Sequence, residues 1–285
     1  LRSNYDALKW TVERGLDSVV PLVVGMPGES PATIAETIAF CNFATTVDPT
    51  QRPTDMSVNY AQALPGTPLY EFARRRAMIG PGIDGEEKYL LAISDRDAHD
   101  EYTTLNFTDY PKLMCETWRP RITVEVNFNY FRKFGREHYR RQFMGEGGPF
   151  GGPGHDSGYF ANPKRLMEKG SKSALGRADD DVPRPPSLAR LIRNGNWGLA
   201  LIFYPVIAYR ARRLLLFLVI VKNLKEYGAR HTWSQLREYF AFRLRSVLGR
   251  GSLAYGYKTL RKIVERDIGA TPGDDQAMEA LRRGR

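Results

Sequence analysis

Residues 19–40 read VVPLVVGMPGESPATIAETIAF, and this stretch determines the fold class that we expect. With Ser18, its first six residues form the run SVVPLVV (residues 18–24), which is almost wholly apolar and rich in valine and predicts a strand buried on both faces of a parallel sheet. The Gly-Met-Pro-Gly-Glu that follows predicts a tight turn. Ser30 and Pro31 then predict the start of a helix over residues 31–45.

The same strand, turn and helix pattern occurs a second time. Residues 55–63 (DMSVNYAQA) predict a strand, residues 64–68 (LPGTP) predict a turn, and a helix is expected over residues 69–77. A helix is also expected over residues 3–15, and one strand per roughly 35 residues is typical of a parallel α/β sheet or barrel. Two strands cannot bury their own faces, so we expect further strands before Leu1 and a longer parent protein.

Turns that follow parallel strands are candidate ligand sites. Their glycines let backbone N–H groups approach a ligand, and such loops form the ligand face of α/β folds. Neither a Gly-Lys-Ser/Thr sequence nor GxGxxG is present, which excludes a P-loop and a dinucleotide fingerprint. The alternative is that both segments are simply efficient turns.

The cysteine count limits the metal chemistry of the chain. Cys41 and Cys115 are the only two cysteines, too few for a disulfide framework, structural zinc or a self-contained iron–sulfur site. Cys41 lies on the apolar face of a predicted helix, where we expect it to be buried. Cys115 is expected in a loop, either as a thiol facing a substrate or as an unremarkable free cysteine. His155 and Asp156, in a glycine-rich stretch, are a weak candidate pair.

Together with VNYAQALPGTPLYEFARRRAMIG at residues 58–80, residues 19–40 resemble the last strands of the radical S-adenosylmethionine (SAM) barrel. The likeness is greatest to the cobalamin-binding class that includes anaerobic magnesium-protoporphyrin IX monomethyl ester cyclase and lipid methylases. In that family a Gly-x-Pro-Gly-Glu turn ends the fifth strand and a Pro-Gly-Thr-Pro-Leu-Tyr turn ends the sixth. The resemblance implies an α/β fold: the last βα units of a partial (β/α) barrel, followed by a mainly α-helical C-terminal extension.

The resemblance also implies a set of cofactor-binding residues. The first turn would support the adenine and methionyl side of SAM, and the second strand and its turn would line the adenine pocket and the substrate side. The residues concerned are Gly25, Met26, Pro27, Gly28, Glu29, Asn59, Gln62, Leu64, Pro65 and Gly66. The family's CxxxCxxC, which ligates a 4Fe-4S cluster, is absent from this sequence, so we expect the cluster ligands, and any cobalamin domain, upstream of this chain. No catalytic residue and no metal ligand is assigned within it.

The implied function belongs to the parent protein. A radical SAM enzyme, either an oxidoreductase or a methyltransferase, would methylate or cyclise a hydrophobic or lipid-like substrate through a 5′-deoxyadenosyl radical, with electrons from a reductant protein. This chain alone is expected to be inactive. The alternatives are a radical SAM enzyme that modifies RNA and a non-catalytic binding module at the membrane periphery.

The charge pattern divides the chain. Residues 1–118 hold 10 basic and 17 acidic residues, whereas residues 119–285 hold 32 and 15. We expect the basic half to face something anionic, such as nucleic acid, anionic lipid or an acidic ligand. We expect four parts: the partial barrel over residues 1–95, a connecting region with a glycine-rich loop over 96–168, a linker over 169–187, and a basic, apolar helical extension over 188–285.

An apolar block in the extension raises the question of membrane binding. Two apolar runs of 13 and 8 residues within residues 197–221 flank three arginines and are too short to span a bilayer. They predict either an interfacial hairpin or a buried helical hairpin kinked at Pro205. We therefore expect a cytoplasmic protein, with peripheral binding to the inner membrane face as the open alternative. Nucleic acid is disfavoured because long aliphatic runs have no role in phosphate binding.

Overall fold

The computed structural model describes residues 2–16, 20–48, 51–94, 105–144 and 185–248. The first elements are α1 (Arg2–Glu13), β1 (Val20–Val24), α2 (Pro31–Val47), a 3-10 turn (Pro53–Asp55), β2 (Met56–Tyr60), α3 (Pro68–Arg75) and α4 (Gly82–Ser94). The later ones are α5 (Lys112–Cys115), α6 (Trp118–Met144), α7 (Leu188–Arg193), α8 (Trp197–Phe203), α9 (Pro205–Arg210), a 3-10 turn (Arg212–Leu214) and α10 (Leu215–Val247).

The strand, turn and helix pattern of the sequence is confirmed. β1 and β2 pair in a parallel two-stranded sheet, and α2 and α3 begin at the prolines that follow the two turns. Within the described ranges this sheet is the whole β-structure, so the partial barrel remains a prediction.

The expectation that β1 is buried on both faces is wrong in the described structure. Val20 and Val24 are buried, whereas Pro21 is exposed and Val23 is 53% exposed. The sheet has two strands in the described ranges, so β1 has a paired neighbour on one side only. Successive side chains of a strand point to opposite faces, so Val20 and Val24 lie on the packed face and Pro21 and Val23 on the face left in solvent.

The chain divides into two compact units, each built from separate stretches of sequence. One unit comprises Leu1–Pro21, Ala35–Ser57 and Arg119–Phe217. The other comprises Leu22–Ile34, Val58–Trp118 and Leu218–Arg285. Both turns of the candidate site belong to the second unit.

An aromatic core lies in the first unit. Its buried members are Tyr130, Tyr139, Phe143, Met144 and Ile202. The Tyr139 hydroxyl lies 2.7 Å from the carbonyl oxygen of Ile202, so the aromatic end of α6 and the apolar helix α8 are held by a hydrogen bond as well as by packing.

The apolar block is packed in part: Ile207, Leu214 and Phe217 are 49%, 57% and 60% exposed. Ile202 and Ala208 are buried, and the chain breaks at Tyr204 (φ −124°, ψ 58°) before Pro205 starts α9. The predicted kink at Pro205 is confirmed, and burial of α8 favours the buried alternative for this part of the block. Among the helices of the described ranges, none combines the length and the apolar character needed to cross a membrane.

The core of the second unit surrounds the end of β2 and helix α3. Its buried residues are Ala61, Ala63, Tyr70, Phe72, Ala73, Ile79 and Phe107. The Phe72 and Phe107 rings meet at a centroid distance of 6.4 Å in an edge-on arrangement. Helix α3 presents its buried side to this core and its arginines to solvent, which holds the second turn in place.

Three predicted features, namely the glycine-rich stretch, the His155 and Asp156 pair and the linker, lie wholly or mostly outside the described residues. The glycine-rich stretch 145–158, with His155 and Asp156, and most of the linker 169–187 lie outside the ranges that the structure describes.

Candidate functional site

The first turn follows β1 and is buried. The Met26 carbonyl oxygen accepts a hydrogen bond from the Glu29 backbone N–H at 3.1 Å, with Pro27 and Gly28 between them. Gly28 has φ +83°, so the four residues form a type II turn, which requires a positive φ at its third position and favours proline at its second. Pro27 and Gly28 are both buried.

The second turn follows β2 and has the same geometry. The Leu64 carbonyl oxygen accepts the Thr67 backbone N–H at 3.1 Å, Pro65 stands second, and Gly66 has φ +79°. The Thr67 hydroxyl accepts the Tyr70 backbone N–H at 3.3 Å and caps α3. Unlike the first turn, this one exposes Leu64, Pro65 and Gly66 to solvent.

The structure brings the first turn against the chain that leaves β2. The Ala61 backbone N–H donates to the Val24 carbonyl oxygen at 2.8 Å, which continues the strand pairing by one residue. A Cβ placed on Gly25 would lie 3.9 Å from the Ala61 nitrogen. The Met26 side chain packs on the core that contains Ala61 and Ala63. The first turn and residues 61–63 are therefore neighbours at one end of the sheet.

The Glu29 carboxylate is bound to its own turn. Its Oε2 atom accepts the backbone N–H groups of Gly25 and of Met26, the latter at 3.3 Å. Burial raises the pKa of Glu29 to about 7, and the two backbone donors oppose this increase. Glu29 therefore occupies the backbone N–H groups of Gly25 and Met26 in this structure, and the assignment of the two residues to SAM binding stays a prediction.

Gln62 provides a polar atom that the surrounding protein does not satisfy. Its Nε2 atom is buried and has no hydrogen-bond partner. A buried donor without a partner costs about 1–3 kcal/mol. Asn59, on β2, is half-buried and, unlike the Nε2 atom of Gln62, is not without a partner. The donor of Gln62 is therefore the clearest polar group in this set for a ligand to engage.

Tyr89 holds the backbone beside Gln62, and no sequence pattern predicts this role. Its hydroxyl donates to the Ala63 carbonyl oxygen at 3.0 Å and accepts the Ala63 backbone N–H at 3.1 Å. Both polar backbone groups of Ala63 are thus satisfied by one side chain of α4. Because the two residues are 26 positions apart, only the folded chain reveals the pair.

Cys115 does not lie in a loop, so that prediction is wrong. It ends the short helix α5 and is buried, with its Sγ 3.0 Å from the Thr108 hydroxyl. Burial, followed by the carboxylates of Glu29, Glu116 and Glu238, raises the pKa of Cys115 to about 12, although the Thr108 hydrogen bond lowers it. A thiol that stays protonated is a poor nucleophile, so the structure favours the unremarkable free cysteine.

Cys41 behaves as the sequence predicts. It is fully buried on α2, and burial raises the pKa of its thiol to about 12. This cysteine is a small apolar core residue.

A buried polar cluster around Glu116 was also missed. Asn223 donates to Glu116 Oε2 at 2.7 Å and to Gln235 Oε1 at 2.8 Å, while Gln235 donates to Glu116 Oε1 at 3.2 Å. His231 Nε2 lies 2.9 Å from Gln235 Nε2, and burial, with the charge of Lys112, lowers the pKa of this histidine. The cluster joins residues more than 100 positions apart, so no sequence spacing reports it.

Comparison with known proteins gives no match: no family model, no curated protein and no solved structure is significantly similar to this chain. Within the ranges that the structure describes, no group of three or more His, Cys, Asp or Glu side chains is arranged to hold a metal ion.

Proposed function

We propose that this chain supplies the last two βα units of a radical SAM domain, in a cobalamin-dependent enzyme that methylates or cyclises a hydrophobic substrate. One observation carries the proposal. Two type II Pro-Gly turns follow two adjacent parallel strands, and each leads directly into a helix. Their order and sequences resemble those of the turns that end the fifth and sixth strands of the family.

The polar groups at this end of the sheet fit parts of SAM. SAM carries an adenine with hydrogen-bond acceptors, a cationic amino group and a sulfonium. The buried Nε2 of Gln62 is an unpaired donor that suits an adenine nitrogen. The carboxylate of Glu29 uses only Oε2 for its turn, which leaves Oε1 as an acceptor suited to a cationic group. Met26 contributes half-buried apolar surface beside them.

When bound, a reduced 4Fe-4S cluster would supply the electron for the reductive cleavage of SAM. In this proposal the cluster and cobalamin ligands belong to residues outside this sequence. The residues of this chain bind and orient: Gln62 holds the adenine edge, Glu29 keeps the first turn closed, and Leu64 with the exposed second turn faces the substrate.

The proposal places the enzyme in the cytoplasm, at the inner face of the membrane. The motivation is chemical, because a hydrophobic or lipid-like substrate concentrates there and the half of the chain after residue 118 is strongly basic.

The test is anaerobic reconstitution of the polypeptide that includes the cluster-binding part, followed by reduction with dithionite in the presence of SAM. We expect 5′-deoxyadenosine, measured by liquid chromatography and mass spectrometry. A reconstituted protein with an intact cluster spectrum that forms none would refute the proposal.

A pair of variants tests the binding role of Gln62. Gln62→Leu removes the unpaired donor and is expected to raise the KM for SAM by on the order of tenfold, the loss of one buried hydrogen bond. Gln51→Leu also replaces a glutamine of the described core, and is expected to leave the KM for SAM unchanged. Equal effects of the two substitutions would assign Gln62 to stability rather than to SAM binding.

A further inference from the structure

The second half of helix α10, over residues 229–247, has one packed side and one exposed side. It follows a break in the helix at Gly228, where φ is +82°. On the packed side Thr232 and Gln235 are buried, and the Phe242 ring contacts Tyr110 at a centroid distance of 5.6 Å. We call this part of the helix the terminal segment.

The exposed side of the terminal segment is apolar. Trp233 is 68% exposed, and its companions on the same side are Phe240, Leu244 and Val247, each more than 60% exposed. The intervals between these four residues are seven, four and three positions, which place them on one face of a helix. We call these four side chains the apolar stripe. Singly exposed apolar residues need no explanation, whereas an aligned aromatic and aliphatic row indicates an interaction surface.

The charges beside the stripe are of one sign. Arg230, Arg237, Arg243 and Arg245 are the basic residues of the terminal segment, and all four are exposed. Glu238 is its single acidic residue, and its carboxylate accepts a hydrogen bond from the Lys112 backbone on the packed side. Any molecule that binds this side of the terminal segment therefore contacts an apolar row bordered by guanidinium groups.

This combination selects one class of occupant. A second copy of the same face would bring two arginine-rich surfaces together, which is electrostatically unfavourable. Single-stranded nucleic acid would pair with the arginines and could stack bases on Trp233 and Phe240, but it would leave the aliphatic Leu244 and Val247 without a role. An anionic lipid surface satisfies both parts, because its headgroups pair with the arginines while the apolar side chains enter the boundary with the acyl chains.

We infer that the terminal segment is an interfacial helix that binds this protein to anionic lipid membranes through the apolar stripe. The site differs from the apolar block over residues 197–221, in which α8 is packed in a core. The inference deepens the membrane location given in the proposed function. It is independent of the reaction, so failure of vesicle binding and failure of 5′-deoxyadenosine formation are separate results.

The experiment is flotation of the full chain with vesicles of phosphatidylcholine alone or of phosphatidylcholine mixed with phosphatidylserine. We expect the protein to float with the mixed vesicles and to stay in the lower fractions with phosphatidylcholine alone. Added salt should weaken the binding, because ions screen exposed charges. Vesicle binding should shift the tryptophan fluorescence to the blue. If the Trp233→Phe variant lacks this shift, the contact lies at the stripe.

Two sets of variants separate the stripe from general hydrophobicity. The triple variant Trp233→Ser, Phe240→Ser and Leu244→Ser is expected to abolish flotation, and Arg237→Gln with Arg243→Gln to lower the partition coefficient by on the order of tenfold. The matched control is Ile83→Ser with Leu91→Ser on α4, where the two residues are 84% and 57% exposed. This control should float like the wild type.

Circular dichroism establishes that each variant is folded before flotation is compared. The inference is overturned by no binding to the mixed vesicles, by binding that the stripe variant leaves unchanged, or by dimerisation without lipid that the stripe variant removes. Binding to RNA that depends on the stripe would also overturn it.

Discussion

Glu29 closes the turn in which it lies, because its Oε2 atom accepts the backbone N–H of Met26 at 3.3 Å while also accepting that of Gly25. The carboxyl is buried, so the two donors compensate only part of the cost of removing a charge from water. The same side chain therefore organises the first turn and carries a pKa near neutrality.

This pKa predicts a dependence of stability on pH. Because burial raises the pKa of Glu29 from 4.5 to about 7, the folded state binds this proton more tightly than the unfolded state. The contribution of Glu29 to the free energy of unfolding is full below pH 4.5 and is lost as the pH rises through about 7. Glu29→Gln keeps an acceptor oxygen and removes the titration. Its stability relative to the wild type should rise by about 3 kcal/mol across this range.

Urea unfolding of both proteins at a series of pH values measures this difference. Glu13→Gln, at an exposed position at the end of α1, is the control and should follow the wild type. A constant difference between Glu29→Gln and the wild type would contradict the prediction.

Alanine substitutions at two glycines, Gly66 in the second turn and Gly198 in α8, are expected to change stability in opposite directions. Gly66 has φ +79° and open space where a Cβ would stand, so Gly66→Ala should destabilise the protein through backbone strain alone, by about 1 kcal/mol. Gly198 also has open space, has no positive φ and lies within α8, so Gly198→Ala should stabilise it by about 1 kcal/mol. Thermal unfolding of the two variants measures both signs, and equal signs would show that side-chain volume, not φ, determines the result.

The hydroxyl group of Tyr89 is expected to contribute to stability through its two hydrogen bonds to Ala63. Tyr89→Phe removes one hydroxyl and leaves the Ala63 N–H and carbonyl without their partner, which should lower the free energy of unfolding by about 1–3 kcal/mol. Tyr5→Phe is the matched control, because Tyr5 contacts Phe40 and Phe43 through its ring. Denaturant unfolding should separate the two variants clearly. If Tyr5→Phe lowers the free energy of unfolding by as much, the hydrogen bonds between Tyr89 and Ala63 are not the cause of the loss in Tyr89→Phe.

In the buried polar cluster around Glu116, a second carboxyl group at position 223 is expected to be repelled by the Glu116 carboxylate. Asn223→Asp replaces a donor that lies 2.7 Å from Glu116 Oε2 by a second carboxyl group of the same size. Two carboxylates at this distance cannot both ionise without a large cost, so the variant should lose several kcal/mol of stability at neutral pH and recover part of it in acid. Asn223→Leu removes the donor without adding charge and should show little of this acid recovery. The free energy of unfolding as a function of pH distinguishes the two.

Local chemistry accounts for what could be predicted from the sequence. The valine-rich strand before Gly25 and the Pro-Gly pairs at residues 27–28 and 65–66 specify their conformations through neighbours in the chain, and the helix starts at Pro31 and Pro68 follow from the same short-range rules. The break at Pro205 belongs to this class, since proline lacks an N–H and cannot continue a helix.

Long-range packing accounts for the rest. The burial that raises the pKa of Glu29, the removal of Cys115 from solvent and the joining of Glu116 with Asn223 depend on which distant segments come together. The exposure of the apolar stripe has the same origin, because periodicity identifies an apolar face but does not say whether another element covers it. The sequence by itself thus determined where the chain turns and which residues form the two strand, turn and helix units. The tertiary structure determined which polar groups are satisfied and which apolar face stays in solvent, because burial is a property of the assembled chain and not of its local sequence.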